Sequence, residues 1–216
     1  MRRIWEDYGE AFVRPGGVPA GFDIVVTSFL AIGLIIRSDG GPAFFRQVRV
    51  GKAGRFFRIF KFRTMVVDAE KLGTQVTSEH DPRITRIGRI LRKTKLDELP
   101  QLLNVFVGDM SLVGPRPEVP YYVARWPEED RKVILSVKPG ITDYATLFYN
   151  DEQAVLAKTD DPKEAYMKKV MPHKLEMYMR YVGDQNFCLD LRLILATLRK
   201  MAGLNVKILN VLRFRC

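Results

Sequence analysis

The chain has 216 residues, of which 47% are hydrophobic and 11% aromatic, so it can bury a core and is not a disordered protein. Its formal net charge of +10 indicates partners that carry phosphate: nucleic acid, nucleotides or an anionic membrane surface. Cys188 and Cys216, with His80 and His173, lack the number and spacing of a disulfide framework or a zinc site, and they favour a reducing, cytoplasmic setting.

The first 42 residues divide into two segments. Residues 1–21 form a polar N-terminal segment, and residues 22–42 form a short apolar segment. As a helix, the apolar run over residues 24–36 would cover roughly 20 Å, whereas the hydrocarbon core of a bilayer is about 30 Å thick. The run is therefore too short to span a membrane. It is either a buried core helix or a segment that dips into one leaflet, and its length favours the core helix.

Residues 44–65 predict a β-hairpin, because basic and apolar residues alternate on both sides of a glycine-containing turn at residues 51–54. The hairpin opens a basic block: residues 44–95 hold 14 Lys and Arg against 4 Asp and Glu. Aromatic side chains alternate with these cations, which is typical of a surface that packs underneath and meets anions on top. The block is also compatible with a nucleic-acid-binding module or with a plain solvated face.

Two helices are predicted next along the chain. Residues 84–96 form a basic amphipathic helix, which suits either an anionic membrane interface or an ordinary surface position. A second helix begins near Asp97 and ends at Gly108. Apolar residues at helical spacing predict one face of this second helix: Leu99, Leu102, Leu103 and Phe106.

The second half of the chain predicts a proline-rich loop over residues 111–120 and three further helices. One begins at Trp126-Pro127-Glu128-Glu129, and the others cover residues 174–182 and 187–201. The last has an apolar stripe, which core packing explains first and membrane contact second: Phe187, Leu191, Ile194, Leu195 and Leu198. The predicted fold is a helix-rich α+β domain with a small β-hairpin and amphipathic helices.

The adjacent carboxylates Asp97 and Glu98 are the first candidate for chemistry. Asp97 is a good helix N-cap, and the cations Arg92, Lys93 and Lys95 should keep it ionised. An ionised carboxylate can attack phosphorus as a nucleophile or bind a metal. An ordinary acidic N-cap is the alternative interpretation of the pair.

Two further motifs indicate phosphate binding. In Gly114-Pro115-Arg116-Pro117, two prolines restrict the backbone around an arginine that can bind phosphate in a bidentate way, although a plain turn is the alternative. In Lys61-Phe62-Arg63-Thr64, two cations flank an aromatic side chain at the end of a predicted strand. The glycines around Lys52 lack the spacing of a phosphate-binding loop.

Together, these segments strongly resemble the bacterial sugar transferases, the monotopic phosphoglycosyl transferases that start polyprenyl-linked glycan synthesis. The resemblance covers roughly residues 22–201, and five motifs in the same order carry it: Phe44-Phe45-Arg46-Gln47; Phe60-Lys61-Phe62-Arg63-Thr64-Met65; Leu96-Asp97-Glu98-Leu99-Pro100-Gln101-Leu102-Leu103-Asn104-Val105; Gly108-Asp109-Met110-Ser111-Leu112-Val113-Gly114-Pro115-Arg116-Pro117; and Lys138-Pro139-Gly140-Ile141-Thr142.

The resemblance implies a two-step reaction on a membrane-bound acceptor. Asp97 would attack the sugar-linked phosphate of a UDP-sugar and release UMP, and undecaprenyl phosphate would then take the phosphosugar from the enzyme. Glu98 matches the metal-binding carboxylate, with Mg²⁺ as the ion. The residues that match substrate-binding positions are Lys61, Arg92, Arg116 and, with a less defined role, Asp190.

The resemblance also implies a location and a domain division. The chain would act on the cytoplasmic face of the bacterial cytoplasmic membrane, in contact with the inner leaflet and without nucleic acid. Residues 22–42 would be the membrane-associated segment, with a short re-entrant type of helix. Residues 43–203 would be the catalytic domain and residues 204–216 a tail, and homodimer formation is left open.

One departure from the family keeps a further interpretation open. In the family the apolar segment is a longer helix, bent midway at a Ser-Pro pair. Here Phe22-Asp23-Ile24-Val25-Val26-Thr27-Ser28 runs almost directly into Phe29-Leu30-Ala31-Ile32-Gly33, without the Ser-Pro pair. An inactive membrane-associated homologue is therefore an alternative to the enzyme, as is the nucleic-acid-binding module.

Overall fold

A computed structural model of the chain describes residues 20–38, 40–72, 81–149 and 161–204, with the side chains of residues 20–26, 70 and 162 left out. The polar segment predicted at residues 1–21 and the tail predicted at 204–216 lie almost entirely outside these ranges. Within them the fold is α+β and helix-rich with small sheets, which confirms the predicted class.

The chain alternates short strands with helices that are mostly brief. The strands are β1 (Phe44–Val50), β2 (Phe56–Phe62), β3 (Ser111–Val113) and β4 (Gly140–Thr142). The described helices are α1 (Ala20–Arg37), α2 (Arg86–Thr94), α3 (Gln101–Phe106), α4 (Pro120–Val123), α5 (Glu128–Ile134), α6 (Tyr144–Phe148), α7 (Pro162–Ala165), α8 (Met171–Asp184) and α9 (Phe187–Met201). Single 3₁₀ turns cover Lys52–Gly54, Ala69–Lys71 and Leu96–Glu98, and a π-helical turn, Tyr166–Val170, joins α7 to α8.

Helix α1 packs on the rest of the protein along one side only. Ile36 is buried against Phe62 and Leu91, and Phe29 and Ile32 add to this cluster. Leu30, Leu34 and Ile35 lie on the exposed side, where between 50% and 71% of each residue is accessible. Among the residues whose side chains are described, α1 is therefore a partly packed helix and not the fully buried core helix that its length favoured. Among the described helices, none combines the length and the apolar character needed to cross a membrane.

The predicted hairpin is confirmed. Strands β1 and β2 pair antiparallel, with a register that runs from Phe44 opposite Phe62 to Val50 opposite Phe56. The 3₁₀ turn that joins them places Ala53 and Gly54 at positive φ angles of 55° and 75°. The buried residues of β2 are Ile59 and Phe62, which are three positions apart and therefore point to opposite faces of the hairpin.

A second sheet, which the sequence did not predict, forms inside the supposed proline-rich loop. Strand β3 pairs parallel with β4, and Ser111 lies opposite Gly140. The two backbones approach so closely at this point that a Cβ atom on Gly140 would lie 2.1 Å from Gly114 N. Only glycine fits there, because any side chain would push the loop before Arg116 away from β4.

The remaining predicted helices are confirmed at α5, α8 and α9. Helices α4, α5 and α8 enclose a core around Trp126, Ile134 and Tyr178. The first turn of α6 and helices α8 and α9 enclose a second core around Leu147, Tyr181 and Leu193. These two cores support the loop between β3 and α4 at its two ends.

Four of the five residues in the apolar stripe predicted on α9 face outward, which corrects their assignment to the core, whereas Ile194 packs against the second core. The buried residues are Leu189, Leu193 and Ala196. Phe187 is 82% exposed, and Leu191, Leu195 and Leu198 are each about half exposed. The helix is apolar on more than one face, so the spacing of its hydrophobic residues does not by itself identify the packed side.

Helix α3 turns the apolar residues of its predicted face outward. Its polar residues Gln101 and Asn104 are fully buried. Phe106 is 90% exposed, and Leu102 and Leu103 are 41% and 45% exposed. Hydrogen bonds from Asn104 to strand β2 explain this orientation, because a buried polar side chain is retained where it finds partners.

Candidate active site

Three segments of the chain meet at the carboxylate of Glu98. Lys61, near the end of β2, places its Nζ atom 3.0 Å from Glu98 Oε1. Arg116, in the loop after β3, donates a hydrogen bond from Nη2 to the same oxygen. Glu98 itself lies in the 3₁₀ turn between α2 and α3. The structure thus brings together three of the predicted site residues from distant parts of the sequence.

Asn104 fixes the position of this 3₁₀ turn against the hairpin. Its Nδ2 atom donates to the Arg58 carbonyl and its Oδ1 atom accepts from Phe60 N, both at 2.9 Å. The side chain therefore pairs with β2 much as a neighbouring strand would. The sequence did not predict that Asn104 helps to build the site, because an Asn within a helix gives no sign of partners 44 and 46 positions away.

Helix α2 is held close to the same strand by Gly88. A Cβ atom on this residue would lie 2.0 Å from the Thr64 carbonyl oxygen, so a side chain would separate the helix from the strand end. The close packing lets Arg92 Nε donate to Thr64 Oγ1 at 2.9 Å. Lys95 then adopts a positive φ angle of 59° and turns the chain into Asp97.

Asp97 is buried, with 8% of the residue exposed, and its Oδ1 atom has no hydrogen-bond partner among the described residues. The prediction that Asp97 is a helix N-cap is wrong. The cap position of α3 is occupied by Pro100, and Asp97 belongs to the preceding 3₁₀ turn. A buried carboxylate oxygen without a partner is costly for stability, which is typical of groups kept for binding or chemistry.

The pKa of Asp97 is raised above its ordinary value, and the prediction that its cationic neighbours keep it ionised stays a prediction. Burial has the largest effect, and the negative charge of Glu98 adds to it. Lys61, Arg92 and Lys95 oppose this rise without reversing it. Asp97 is therefore a more basic carboxylate than an exposed aspartate, which favours attack on phosphorus.

Glu98 has the opposite electrostatics. Burial alone would raise its pKa, but Arg116 and Lys61 hold the pKa well below its usual range. In return, the Glu98 charge raises the pKa of Arg116, whereas burial lowers the pKa of Lys61. Two adjacent carboxylates with pKa values pushed apart are suited to different roles.

Asp143 is a second group that helps to build the site, through its contact with the Arg116 backbone. The side chain is fully buried, Oδ2 accepts from Arg116 N at 3.1 Å, and Oδ1 accepts from Thr146 N at 2.6 Å. Asp143 thus caps α6 and holds the backbone of Arg116 with one carboxylate. An Asp before a short helix is a sign of an N-cap, but not of a contact 27 residues away.

Arg92 and Asp190 lie at different places relative to Glu98. Arg92 is bonded to Thr64 and affects the pKa of Asp97, so it lines the side of Asp97 that faces α2. Asp190 lies in the first turn of α9, where Oδ1 accepts from Tyr181 OH at 2.8 Å. Its described hydrogen bond is therefore with α8, and a substrate-binding role for Asp190 stays a prediction.

The residues present fit a divalent cation that is also bound by substrate. Among the described residues, no three His, Cys, Asp or Glu side chains cluster as a metal cage. Asp97 and Glu98 nevertheless offer adjacent hard oxygen donors, and Asp97 Oδ1 has no protein partner among the described residues. Mg²⁺ is commonly held by one or two carboxylates together with substrate phosphates.

The basic block of residues 44–95 is not a single solvated face. Several of its cations are used inside the protein: Arg49 pairs with Glu118, Lys61 with Glu98 and Arg83 with Asp81, while Arg63 binds the carbonyls of Ile36, Pro42 and Met65. These contacts occupy four of the 14 Lys and Arg residues whose charge suggested a nucleic-acid surface. The exposed part of the block includes Arg86, Arg89 and Lys93 on α2.

Known proteins match the chain over most of its length. Residues 19–204 match the family described as bacterial sugar transferase. Galactosyl transferase CpsE of Streptococcus agalactiae serotype III (strain NEM316) is 48% identical over 132 residues, which are 55% of this chain and 29% of that protein. The UDP-glucose:undecaprenyl-phosphate glucose-1-phosphate transferase of Escherichia coli (strain K12) is 35% identical over 167 residues, 76% of this chain and 33% of that protein.

A third relative, the exopolysaccharide production protein PSS of Rhizobium leguminosarum bv. phaseoli, is 36% identical over 184 residues, 81% of this chain and 86% of that protein. The chain thus spans about a third of the first two relatives and most of the third. The family match includes β1, β2, the Asp97-Glu98 turn and the Arg116 loop, which are the elements that build the site. The chain belongs to the bacterial sugar transferase family.

Proposed function

We propose that this protein transfers a sugar 1-phosphate from a UDP-sugar to undecaprenyl phosphate, through a covalent intermediate on Asp97. The observation that carries the proposal is the buried Asp97 beside Glu98, with Lys61 and Arg116 both bound to Glu98 Oε1. The arrangement combines a nucleophile with cations that can bind phosphate. The Escherichia coli relative is named for a donor and an acceptor of this class.

In the first step, a carboxylate oxygen of Asp97 attacks the sugar-linked phosphorus of the UDP-sugar. A bond forms between this oxygen and phosphorus, and the bond from phosphorus to the bridging oxygen breaks. UMP leaves with the electron pair, and Asp97 carries the sugar phosphate as an acyl phosphate. Arg116 and Lys61 lower the cost of the charge that develops on the phosphate oxygens.

In the second step, a phosphate oxygen of undecaprenyl phosphate attacks the same phosphorus. The acyl phosphate bond breaks, the electron pair returns to Asp97, and undecaprenyl diphosphate sugar is released. No net proton transfer is needed, because both nucleophiles react as anions. The raised pKa of Asp97 suits both steps, since it makes Asp97 a moderately strong nucleophile and still a good leaving group.

Asp97 and Glu98 would hold Mg²⁺, which when bound neutralises charge on the diphosphate of the donor. Lys61 and Arg116 already orient the Glu98 carboxylate, so this carboxylate is fixed before substrate arrives. Such preorganisation favours the transition state, because little rearrangement is then needed during the reaction.

Exposed apolar side chains support association with the cytoplasmic face of the bacterial cytoplasmic membrane, where the acceptor is located. Phe106 on α3, Leu34 on α1 and Phe187 on α9 are 90%, 71% and 82% exposed. Arg86, Arg89 and Lys93 on α2 are also exposed and offer positive charge to anionic lipid, at about 1 kcal/mol per cation near the surface. One-sided binding to the inner leaflet would bring Asp97, two residues after Lys95, near the headgroups.

The deciding experiment follows UMP release from a panel of UDP-sugars by protein reconstituted with undecaprenyl phosphate in nanodiscs. We expect one or a few donors to give UMP and lipid-linked sugar in equal amounts. UMP formation without acceptor should stop at one equivalent per enzyme, as a covalent intermediate requires. Absence of turnover with every donor, in protein that still binds membranes, would support the inactive homologue instead.

A further inference from the structure

The backbone on both sides of the Arg116 side chain is held by buried charged groups. Asp143 Oδ2 accepts the Arg116 N–H at 3.1 Å. Arg49 Nη1, from the hairpin, donates to the carbonyl of Pro117 at 3.2 Å. The turn is thus fixed before and after Arg116, while the guanidinium of Arg116 extends to Glu98.

Arg49 is in turn held by a network that lies outside the site itself. Nη1 is 3.1 Å from Glu118 Oε1, and Nη2 donates to Gln47 Oε1 at 2.6 Å. The second oxygen of Glu118 accepts from Tyr166 OH at 2.5 Å. The side chains of Arg49 and Glu118 are only 18% and 16% exposed, so the pair is largely removed from water.

Opposing effects act on the pKa of Arg49 in this network. Burial lowers the pKa of Arg49, Glu118 raises it, and the charge of Arg116 lowers it again. Arg49 and Arg116 therefore repel each other, and Glu118 offsets that repulsion. A well-packed apolar pair often stabilises a fold as well as a buried ion pair does, so stability alone is a weak reason for this arrangement.

We propose that Arg49, fixed by Glu118 and Tyr166, is a positioning residue for Arg116. It holds the Pro117 carbonyl so that the Arg116 guanidinium faces Glu98 and the phosphate of the donor. Its effect on turnover rests on the proposed function, whereas its effect on the loop does not. Small displacements of a positioned group are enough to matter, since an error near 1 Å can reduce rates about 100-fold.

The variant Arg49→Lys separates geometry from charge. Lysine keeps a positive charge beside Glu118 but lacks the planar fork that reaches Glu118, Gln47 and Pro117 together. Hydrogen exchange of residues 114–119, measured by mass spectrometry, reports on the loop without any substrate. We expect exchange there to become at least tenfold faster, with exchange in α9 unchanged. Unchanged exchange in residues 114–119 would overturn the proposal.

A double-mutant cycle with Arg116→Ala tests whether Arg49 acts through Arg116. We expect Arg49→Lys to lower kcat/KM about tenfold when Arg116 is present and less than twofold when Arg116 is already alanine. Equal losses in both backgrounds would show that Arg49 acts independently of Arg116, and would refute the proposal. Thermal melting of all four proteins shows whether each is folded at the assay temperature.

Arg83→Lys is the matched control, because Arg83 also forms a buried ion pair, with Asp81 at 2.6 Å and side chains 12% and 9% exposed. Arg83→Lys should lower the Tm about as much as Arg49→Lys does. Any loss of kcat/KM that it causes should be by the same factor in the wild-type and in the Arg116→Ala protein. If the wild-type protein turned over no UDP-sugar, the proposed function would fail. The hydrogen-exchange comparison would still decide the role of Arg49.

Discussion

Lys61 and Glu98 are 37 positions apart in the chain, and Lys61 Nζ lies 3.0 Å from Glu98 Oε1. This contact joins β2 to the 3₁₀ turn before α3 and places a cation beside both carboxylates. Asp97 is adjacent to Glu98 in the chain, so fixing Glu98 also fixes Asp97. The hairpin and the turn together therefore determine where the proposed nucleophile lies.

Asp97→Asn should abolish sugar-phosphate transfer without unfolding the protein. The amide has nearly the same shape, and Asp97 neither caps a helix nor bonds through Oδ1 to a described residue, so stability should change by less than about 1 kcal/mol. The proposed nucleophile, however, is lost. UMP release and urea unfolding are to be measured on the same preparation. Turnover by a folded Asp97→Asn protein would rule out the covalent mechanism.

Transfer should require Mg²⁺, and Glu98→Gln should weaken the response to it. A neutral amide is a poorer ligand for a hard cation than a carboxylate is. Titrating activity against Mg²⁺ should therefore give a half-maximal concentration at least tenfold higher for Glu98→Gln. The substitution also removes the partner of Lys61 and Arg116, so loss of kcat is expected too. Full activity in excess chelator would contradict this prediction.

Arg116→Lys should not be a conservative change. Lysine keeps the charge but loses the planar fork, which contacts Glu98 and, in the proposed function, would bind a substrate phosphate at the same time. We expect kcat/KM to fall about tenfold or more, which is roughly 1.4 kcal/mol or more of transition-state stabilisation. Arg125→Lys, an exposed arginine on the short segment after α4, is the control and should leave the rate unchanged. A near-normal rate for Arg116→Lys would reduce the loop to a structural turn.

Glu118→Gln should destabilise the fold at neutral pH, by roughly 3 kcal/mol, because it leaves Arg49 buried without a counter-charge. The pKa of Glu118 is lowered in the folded state, since Arg49 and Lys174 outweigh burial. The stability it supplies is therefore complete above its unfolded pKa, about 4.3, and is lost as the pH falls through the lower folded pKa.

The difference in unfolding free energy between wild type and Glu118→Gln should thus shrink as the pH falls below about 4. Urea unfolding of both proteins, from roughly pH 3.5 to pH 8, measures this difference. Glu128→Gln serves as the control, because Glu128 is in an exposed pair with Lys132, and should show no measurable loss. A difference that stayed constant over the whole pH range would contradict the assignment.

Leu191→Glu together with Leu195→Glu should weaken membrane binding and leave the Tm nearly unchanged. Both residues are about half exposed on α9, so their substitution removes apolar surface without opening a core. Flotation with vesicles of phosphatidylethanolamine and phosphatidylglycerol, at low and high salt, measures binding. Ser136→Glu adds one negative charge, half that of the double variant, at an exposed position outside this stripe, and should float like wild type. Equal flotation of all three proteins would exclude α9 from the membrane contact.

The sequence by itself determined the order of the local elements and most of the site residues. Alternation of basic and apolar side chains predicted β1 and β2, and helical spacing predicted α2, α5, α8 and α9. Lys61, Glu98 and Arg116 were identified within short motifs whose resemblance to a family could be read directly. Such features depend on neighbours a few positions away, so the sequence contains them in full.

Tertiary structure alone decided which face of each helix is buried and which groups surround the carboxylates. Helix α3 turns Gln101 and Asn104 inward and its leucines outward, because Asn104 bonds to the backbone of β2. The raised pKa of Asp97 likewise comes from burial, which no local pattern contains. Asp143 and Arg49 hold the Arg116 loop from 27 and 68 positions away. Partners at such separations meet only when the chain has folded, so their pairing depends on the packing of whole elements.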